Sequence, residues 1–226
     1  MKYENIQAGV FIKRPNRFIA VADIDGKEEI CHVKNTGRCR ELLIPGTEIY
    51  LQKARNPERK TMYDLITVRK NNMYINIDSQ APNKVLREWV ECSGYFNNIT
   101  LIKPECRYKN SRFDFYIEAD NRKIFVEVKG VTLEEAGIAK FPDAPTERGV
   151  KHIKELSECV KEGYEAYIFF IVQIPDIKCF MPNREMHSEF ADELIMAEKN
   201  GVNIKALNCE VSPDTLKIND FIKVIL

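Results

Sequence analysis

Two short apolar stretches that carry charged side chains constrain this chain most. The first, Ser111–Ile117, places Asp114 between two phenylalanines, and the second, Phe125–Gly130, places Glu127 and Lys129 among valines. A carboxylate within an apolar strand is costly unless it is paired, hydrogen-bonded or bound to a cation. The pattern therefore predicts that these charged groups meet one another or a ligand.

The connection between the two stretches predicts how they face each other. Asp120–Asn121 is a typical two-residue hairpin turn, which would pair Ala119 with Arg122. Counting back along both strands puts Asp114 opposite Glu127. Directly opposed residues have Cβ atoms about 4.5–5.5 Å apart, so two carboxylates there would repel each other.

A divalent cation relieves this repulsion. Mg²⁺, or Mn²⁺ in its place, prefers carboxylate and carbonyl oxygens, which makes Asp114, Glu127 and the Val128 carbonyl candidate ligands. Lys129 lies on the same strand face as Glu127. Its ammonium would orient an attacking water or stabilise charge on a phosphate, so the predicted chemistry is phosphodiester hydrolysis.

Simpler interpretations stay open for each of these residues. Glu127 could form an ordinary surface ion pair with Lys129 or with Arg112. Glu88, on a predicted helix upstream, could reach the metal directly or through water, or could be a solvated helix carboxylate.

The N-terminal part, residues 1–80, reads as short strands separated by turns. About five strands in about 70 residues are typical of a small closed barrel such as an OB-fold, although a small sandwich would give nearly the same pattern. The predicted strands are Gly9–Arg14, Phe18–Ile24, Glu29–Val33, Thr47–Leu51 and Asp64–Val68.

The C-terminal part, residues 81–226, alternates helices and strands. The apolar run Tyr167–Val172 is typical of a strand covered on both faces. The expected fold class is therefore α/β (α+β), with an OB-like barrel followed by a mixed sheet. The predicted helices are Asn83–Cys92, Pro145–Glu162 and Ser188–Asn200, and the other predicted strands are Arg112–Ala119, Lys123–Lys129 and Val202–Leu207.

Charge is balanced overall but not along the chain. The 34 basic and 34 acidic residues cancel, whereas residues 1–80 hold 14 basic and 10 acidic residues. The excess lies in loops where aromatic rings also occur, as in OB-type barrels that bind nucleic-acid strands. Ordinary barrel turns would explain the same pattern. The candidate nucleic-acid contacts here are Lys13, Arg14, Arg17, Lys34, Asn35, Arg38 and Arg40, with Phe11, Phe18 and Tyr50 as candidate stacking rings.

Three further candidate contacts lie in the C-terminal part. Arg112 lies two residues before Asp114, and Arg148 and His152 are four residues apart on the predicted second helix, away from its apolar ridge. The first turn of that helix, with Arg148 nearby, would suit a phosphate. A capped helix with a solvated face is the competing interpretation.

The sequence also predicts the cellular compartment of the protein. The seven cysteines are scattered and never form a C-x-x-C pair, which argues against a zinc site or a disulfide framework. The first residues lack the apolar core of a signal peptide, and no apolar run approaches the roughly 20 residues of a membrane span. We therefore expect a cytoplasmic protein with no membrane partner and no small-molecule cofactor. The sequence leaves the oligomeric state open.

Taken together, these stretches resemble the sugar fermentation stimulation protein A (SfsA) family over nearly the whole chain. The resemblance implies an OB-like N-terminal domain and a C-terminal domain related to PD-(D/E)XK nucleases, in which Asp114, Glu127 and Lys129 occupy the motif positions and Glu88 the upstream acidic position. It is carried by Asn35–Arg38, Leu43–Gly46, Pro82–Asn83, Ser111–Phe115, Val126–Lys129, Val131–Leu133, Phe141–Gly149, Pro182–Asn183 and Cys209–Pro213.

The resemblance also implies a function. It implies DNA binding without marked sequence preference and a role in regulating genes of sugar (maltose) metabolism. The alternative is an active metal-dependent DNA or RNA nuclease that works in repair or processing of nucleic acids.

Overall fold

The computed structural model describes residues 1–226 as two sheets joined by a short connection. The first sheet has six strands in the order β3-β2-β1-β4-β5-β6, and an additional parallel pairing of β3 with β5 closes it. This closure distinguishes a barrel from a sandwich, so the OB-like prediction is confirmed. The strands are β1 (Ile6–Asn16), β2 (Ile19–Ile24), β3 (Lys27–Val33), β4 (Glu48–Lys53), β5 (Tyr63–Lys70) and β6 (Met73–Asn76).

Three helices follow the barrel in the chain. Pro82 stands in the first turn of α1 (Ala81–Ser93), which ends at Gly94 in the left-handed conformation. Thr146 caps α2 (Glu147–Lys161), because its hydroxyl accepts a hydrogen bond from the Gly149 N–H at 3.0 Å. The third helix is α3 (Ser188–Lys199).

The second sheet has nine strands in the order β10-β11-β13-β15-β14-β12-β9-β8-β7 and mixes parallel and antiparallel pairs. The expected mixed-sheet domain is confirmed. Its strands are β7 (Ile99–Tyr108), β8 (Ser111–Ala119), β9 (Arg122–Val131), β10 (Leu133–Glu135), β11 (Ile138–Phe141), β12 (Glu165–Val172), β13 (Cys179–Pro182), β14 (Asn203–Ser212) and β15 (Thr215–Val224).

Apolar packing forms two clusters, one on each face of the nine-stranded sheet. The smaller cluster lies under α1 and includes Val126 and Val128 of β9. The larger one includes α2, α3 and the barrel interior. Because the barrel shares a cluster with the second sheet, the two parts form one packed unit.

Buried polar contacts also join the two parts. The side chain of Gln173, which is 1 % exposed, donates to the Asn76 side chain at 2.8 Å and to the Asp78 carbonyl at 3.1 Å. The Asn76 N–H donates to the Gln173 carbonyl at 3.1 Å. A buried amide with this many fixed partners specifies one arrangement of the two sheets.

The three helices are too short or too polar to span a bilayer.

Candidate metal centre and nucleic-acid interface

Asp114 lies where β8 and β9 separate. The ladder between these strands pairs Ala119 with Arg122, as the turn predicts, and its last pair is Phe115 with Val126. Beyond that pair the Val128 N–H donates to Asp114 Oδ2 at 2.8 Å, so a carboxylate takes the place of a strand carbonyl. The N–H and C=O of one strand residue point to the same side, so the Val128 carbonyl also faces this gap.

A change of face accompanies the separation. Phe113 packs in the core under α2, whereas Phe115, two residues later, packs in the core under α1. A regular strand would put both rings on one face. On the neighbouring strand Glu105 has a φ of 52°. The sheet is therefore distorted at Asp114, which turns this carboxylate toward Glu127 rather than into either core.

Glu127 is almost fully buried, with 3 % of its surface exposed. Its Oε1 accepts hydrogen bonds from Lys129 Nζ at 2.5 Å and from His152 Nδ1 at 2.6 Å. Burial alone would raise the pKa of Glu127, but the positive charge of Lys129 and the hydrogen bond from His152 outweigh burial and hold the pKa below its ordinary value. Glu127 is therefore ionised, yet its Oε2 is buried without a hydrogen-bond partner.

His152 is a partner of Glu127 and not an exposed contact. The Arg148 Nε–H donates to His152 Nε2 at 3.4 Å, so Nδ1 carries the proton and donates to Glu127. His152 is 4 % exposed, which removes it from the predicted nucleic-acid contacts. The helical spacing placed it on a polar face, but α2 turns that face onto the sheet where Glu127 stands.

Asp114 is held by a residue that the sequence did not assign to the site. The Asn83 side chain at the start of α1 donates to Asp114 Oδ1 at 2.7 Å. Burial, and then the negative charge of Glu127, raise the pKa of Asp114 despite its hydrogen bonds. The two carboxylates are thus close enough to repel each other. The Pro82–Asn83 pair was part of the sequence resemblance, and this was the available signal for Asn83.

The donor set fits a hard divalent cation. Two carboxylates repel each other, one of them keeps a buried unpaired oxygen, and a backbone carbonyl faces the same gap. Oxygen ligands with one or two carboxylates are what Mg²⁺ takes in proteins. Asp114, Glu127 and Val128 are therefore the residues that would hold Mg²⁺ or Mn²⁺.

Glu88 is not part of this cluster, contrary to expectation. Its carboxylate pairs with the N-terminal amine of Met1 at 2.7 Å, and its side chain is 55 % exposed. Five residues of helix separate it from Asn83, which turns the two side chains well apart around α1. The acidic residue expected from α1 is replaced at this site by the amide of Asn83.

Three of the candidate nucleic-acid contacts in the barrel have structural roles instead. The Arg14 guanidinium donates to the carbonyls of the loop formed by residues 34–40 and of the β1–β2 turn, at 2.6–2.9 Å. Lys34 pairs with Asp64 at 3.2 Å and with Asp78 at 3.6 Å. The Asn35 side chain accepts from the Gly37 N–H and donates to the Ile77 carbonyl. Their polar atoms are therefore occupied within the fold.

The remaining basic candidates are exposed. Arg112 forms an ion pair with Glu105 at 3.1 Å, with both side chains about 60 % exposed, and such a pair is readily given up for a phosphate. The aromatic candidates differ: Phe11 is buried, Tyr50 donates to Glu48 and packs against Tyr74, and Phe18 is exposed. The exposed basic residues are Lys13, Arg17, Arg38, Arg40, Arg112 and Arg148.

A polar cleft of about 300 Å³ separates the barrel from the second sheet. One wall is the loop Asn35–Gly37, and the other includes Gly130, which follows Lys129 in the chain, and Asp143. The Arg38 N–H donates to Asp143 Oδ2 at 3.2 Å. A side chain at position 37 would collide with Asp143, so this close approach requires glycine. The cleft therefore lies between the basic loop and the strand that carries the candidate metal centre.

A second group of candidate ligands lies at the N-termini of α2 and α3. Glu147, His187 and Glu189 have ligand atoms within 4.8 Å of one another, and both glutamates are exposed. The Thr146 N–H donates to His187 Nδ1 at 3.2 Å, so the proton resides on Nε2, the atom that faces Glu147. A protonated nitrogen is not a ligand, which makes this group a weaker candidate than the Asp114 and Glu127 pair.

Together the fold and the site define a two-part protein in which an OB-like barrel adjoins a mixed sheet with a carboxylate and lysine cluster. Comparison with known proteins agrees with this class. The family model described as "SfsA N-terminal OB domain" matches residues 12–77, and the one described as "Sugar fermentation stimulation protein RE domain" matches residues 80–215. The chain belongs to the SfsA family.

Individual relatives cover the whole chain. The sugar fermentation stimulation protein homolog of Desulfitobacterium hafniense is 64 % identical over 226 residues, covering 100 % of this chain and 99 % of the relative. The homolog of Clostridium beijerinckii is 58 % identical and fully covered. Among solved structures, SfsA of Pyrococcus furiosus in complex with Ca²⁺ is 31 % identical, with a TM-score of 0.92 and coverage of 100 % of this chain and 98 % of that chain.

Proposed function

We propose that this protein binds DNA and hydrolyses phosphodiester bonds at a divalent-metal centre formed by Asp114, Glu127 and Lys129. One observation carries the proposal: Glu127 is buried and ionised, and one of its oxygens has no partner within the protein. An unpaired buried anionic oxygen is costly, and a cation at that position would remove the cost.

The choice of metal follows from the ligands. Mg²⁺ or Mn²⁺ would be held by Asp114, Glu127 and the Val128 carbonyl. The Pyrococcus furiosus relative was solved in complex with Ca²⁺, which is also a hard cation that takes oxygen ligands. When bound, the metal supplies positive charge at the phosphate and lowers the pKa of water.

The side chains of the protein supply the remaining groups. Lys129 Nζ is 2.5 Å from Glu127 Oε1 and partly exposed, so its ammonium can turn to a phosphate oxygen and stabilise the charge that builds up there. The hydrogen bond from His152 on α2 orients Glu127, and the hydrogen bond from Asn83 on α1 orients Asp114. Both carboxylates are therefore fixed before substrate arrives, which lowers the reorganisation needed for catalysis.

The two parts of the chain would have different roles in this proposed function. We assign DNA delivery to residues 1–80 and catalysis to residues 81–226. The exposed arginines of the barrel suit phosphates, which carry no sequence information, and this supports binding without strong sequence preference. A role in regulating sugar (maltose) metabolism would act through such binding, and its support is the family to which the chain belongs.

A second candidate function is a nuclease that acts in repair or processing of DNA or RNA instead of in regulation. The presence of Asp114, Glu127 and Lys129 together favours it, because DNA binding alone does not need a buried carboxylate beside a lysine. The two functions share one site and differ in whether cleavage is the biological outcome.

The test is cleavage of single- and double-stranded DNA and of RNA by pure protein with Mg²⁺ or Mn²⁺. We expect metal-dependent cleavage by the natural protein and at least a 100-fold loss in Asp114→Asn and Glu127→Gln. Glu118→Gln is the matched control, since Glu118 lies on the same strand and its only side-chain partner is Tyr116. Failure of the natural protein to cleave any nucleic acid with either metal would leave DNA binding alone.

A further inference from the structure

Phe18 stands at the turn between β1 and β2 with half of its surface exposed. The turn is fixed, because the Asn16 side-chain oxygen accepts hydrogen bonds from the N–H groups of Phe18 at 2.9 Å and of Ile19 at 3.1 Å. A single exposed ring is ordinary on a protein surface. The side chains around the Phe18 ring therefore decide whether it can bind a ligand.

Two arginines distinguish this ring. The Arg17 guanidinium lies 5.6 Å from the centroid of the Phe18 ring. Arg14 donates from one nitrogen to the carbonyls of Arg17 and Asn35 and from another to those of Gly37 and Arg38. One half-buried guanidinium thus joins the aromatic turn to the loop that carries the exposed Arg38 and Arg40.

That loop borders the cleft beside the strand of the candidate metal centre. Asn35 and Gly37 form one wall of the inter-domain cleft, and Gly130, next to Lys129, lies on the other. The Arg14 contacts therefore join the exposed ring to the basic loop, and the cleft separates that loop from β9, the strand that carries Glu127 and Lys129. A nucleic-acid strand that crosses the cleft from the basic loop would lie next to β9 on one side and near the aromatic turn on the other.

We propose that Phe18 is a stacking platform for an unpaired base and that the substrate class is single-stranded nucleic acid. Bases inside a duplex already stack on their neighbours, so only an unpaired base can offer its face to the ring. Arg17 would add charge attraction to the same strand. This inference rests on the proposed function and adds the strandedness of its substrate.

The contribution of stacking to the binding affinity can be predicted. Removal of an aromatic ring on which one base stacks weakens binding of the nucleic acid about 5- to 150-fold. Electrostatic contacts from Arg38 and Arg40 would remain in such a variant. The loss of the ring therefore weakens binding without abolishing it.

The experiment compares two strands of equal charge. Affinity is measured by fluorescence anisotropy, with EDTA present to prevent cleavage, for an oligo(dT) strand of about 12 nucleotides and for a strand of the same length made of abasic sites. The variants are Phe18→Leu, which removes the aromatic face, and Phe18→Trp, which keeps it. Ile30→Ala is the control, since Ile30 is also an exposed apolar residue of the barrel. Thermal unfolding verifies that each variant is folded.

We expect the natural protein and Phe18→Trp to prefer oligo(dT) over the abasic strand by at least fivefold. Phe18→Leu should lose most of that preference while binding the abasic strand as the natural protein does. Equal preference in Phe18→Leu and the natural protein would overturn the inference. Binding of duplex DNA without binding of oligo(dT) would also overturn it and leave the proposed function standing, whereas binding of neither would contradict both.

Discussion

Glu127 and His152 share a buried hydrogen bond of 2.6 Å between Oε1 and Nδ1, while Oε2 of the same carboxylate has no partner. The histidine fixes one oxygen and leaves the other free for a ligand. Histidine–carboxylate contacts of this kind orient metal ligands in many proteins. In this chain the carboxylate is the candidate ligand and the histidine supports it.

Removal of His152 should weaken metal binding. His152→Ala frees Glu127 to rotate and should lower the affinity for Mn²⁺ about 10- to 100-fold, the range found for supporting residues. His152→Asn keeps an N–H near the position of Nδ1 and should restore part of the affinity. Isothermal titration calorimetry measures both values, and an unchanged affinity in folded His152→Ala would refute this role.

Divalent cations should stabilise the natural protein. A metal at about 100 times its dissociation constant adds about 2.7 kcal/mol, which corresponds to a rise in Tm of about 5–10 °C for a chain of this length. Glu127→Gln should abolish the rise, and Glu118→Gln should keep it. Differential scanning fluorimetry with Mg²⁺, Mn²⁺ and Ca²⁺ measures this, and an equal rise in Glu127→Gln would place the metal elsewhere.

The exposed arginines of the barrel loop should contribute to DNA affinity through their charge and not to the stability of the fold. Arg38→Ala combined with Arg40→Ala should reduce the slope of log K against log salt by about 2 on duplex DNA, because each phosphate contact contributes about 0.9. Arg14→Ala should instead lower the Tm, since its guanidinium holds four carbonyls. An unchanged affinity of the double variant at low salt would remove the loop from the interface.

Asp64 should make folding stability depend on pH. Burial alone would raise the pKa of Asp64, but Arg59 and Lys34 outweigh burial and hold it below the ordinary value of 3.8. The stability from this carboxylate is therefore present above pH 3.8 and is lost as the pH falls through the lower folded-state value. Asp64→Asn should cost about 2–4 kcal/mol at pH 7.

Urea unfolding of the natural protein and Asp64→Asn at pH 7 and near pH 3 measures this difference. It should shrink at the acidic pH, because Asp64 of the unfolded chain then binds a proton more readily than Asp64 of the folded chain. A difference that is the same at both pH values would show that Asp64 acts only through packing.

The hairpin that carries the site was predictable from the sequence. Asp120 and Asn121 both adopt positive φ, as a two-residue hairpin turn requires, and the count from this turn gives the observed pairing of Ala119 with Arg122. Continuing the count predicts Asp114 opposite Glu127, but the ladder ends one pair earlier and the distortion at Asp114 was not predictable. Local turn chemistry and a period of two residues are enough to predict the hairpin and the register of its two strands.

Other features depend on packing that no local pattern reveals. The face that α1 presents to the sheet decides that Asn83 and not Glu88 reaches Asp114. Three of the four carbonyls that Arg14 binds belong to residues more than 20 positions away, so its structural role could not be predicted. Several strands were also missed, among them β7 and β15, because their residues are largely exposed and polar and lack a buried periodic pattern.

The most direct measurement is a crystal structure of the protein grown with Mn²⁺, with anomalous scattering recorded to locate the metal. We predict an anomalous peak within coordination distance of both Asp114 and Glu127, with no peak there in Glu127→Gln. A peak confined to the exposed group of Glu147, His187 and Glu189, or no peak at all at saturating Mn²⁺, would contradict the proposed metal centre.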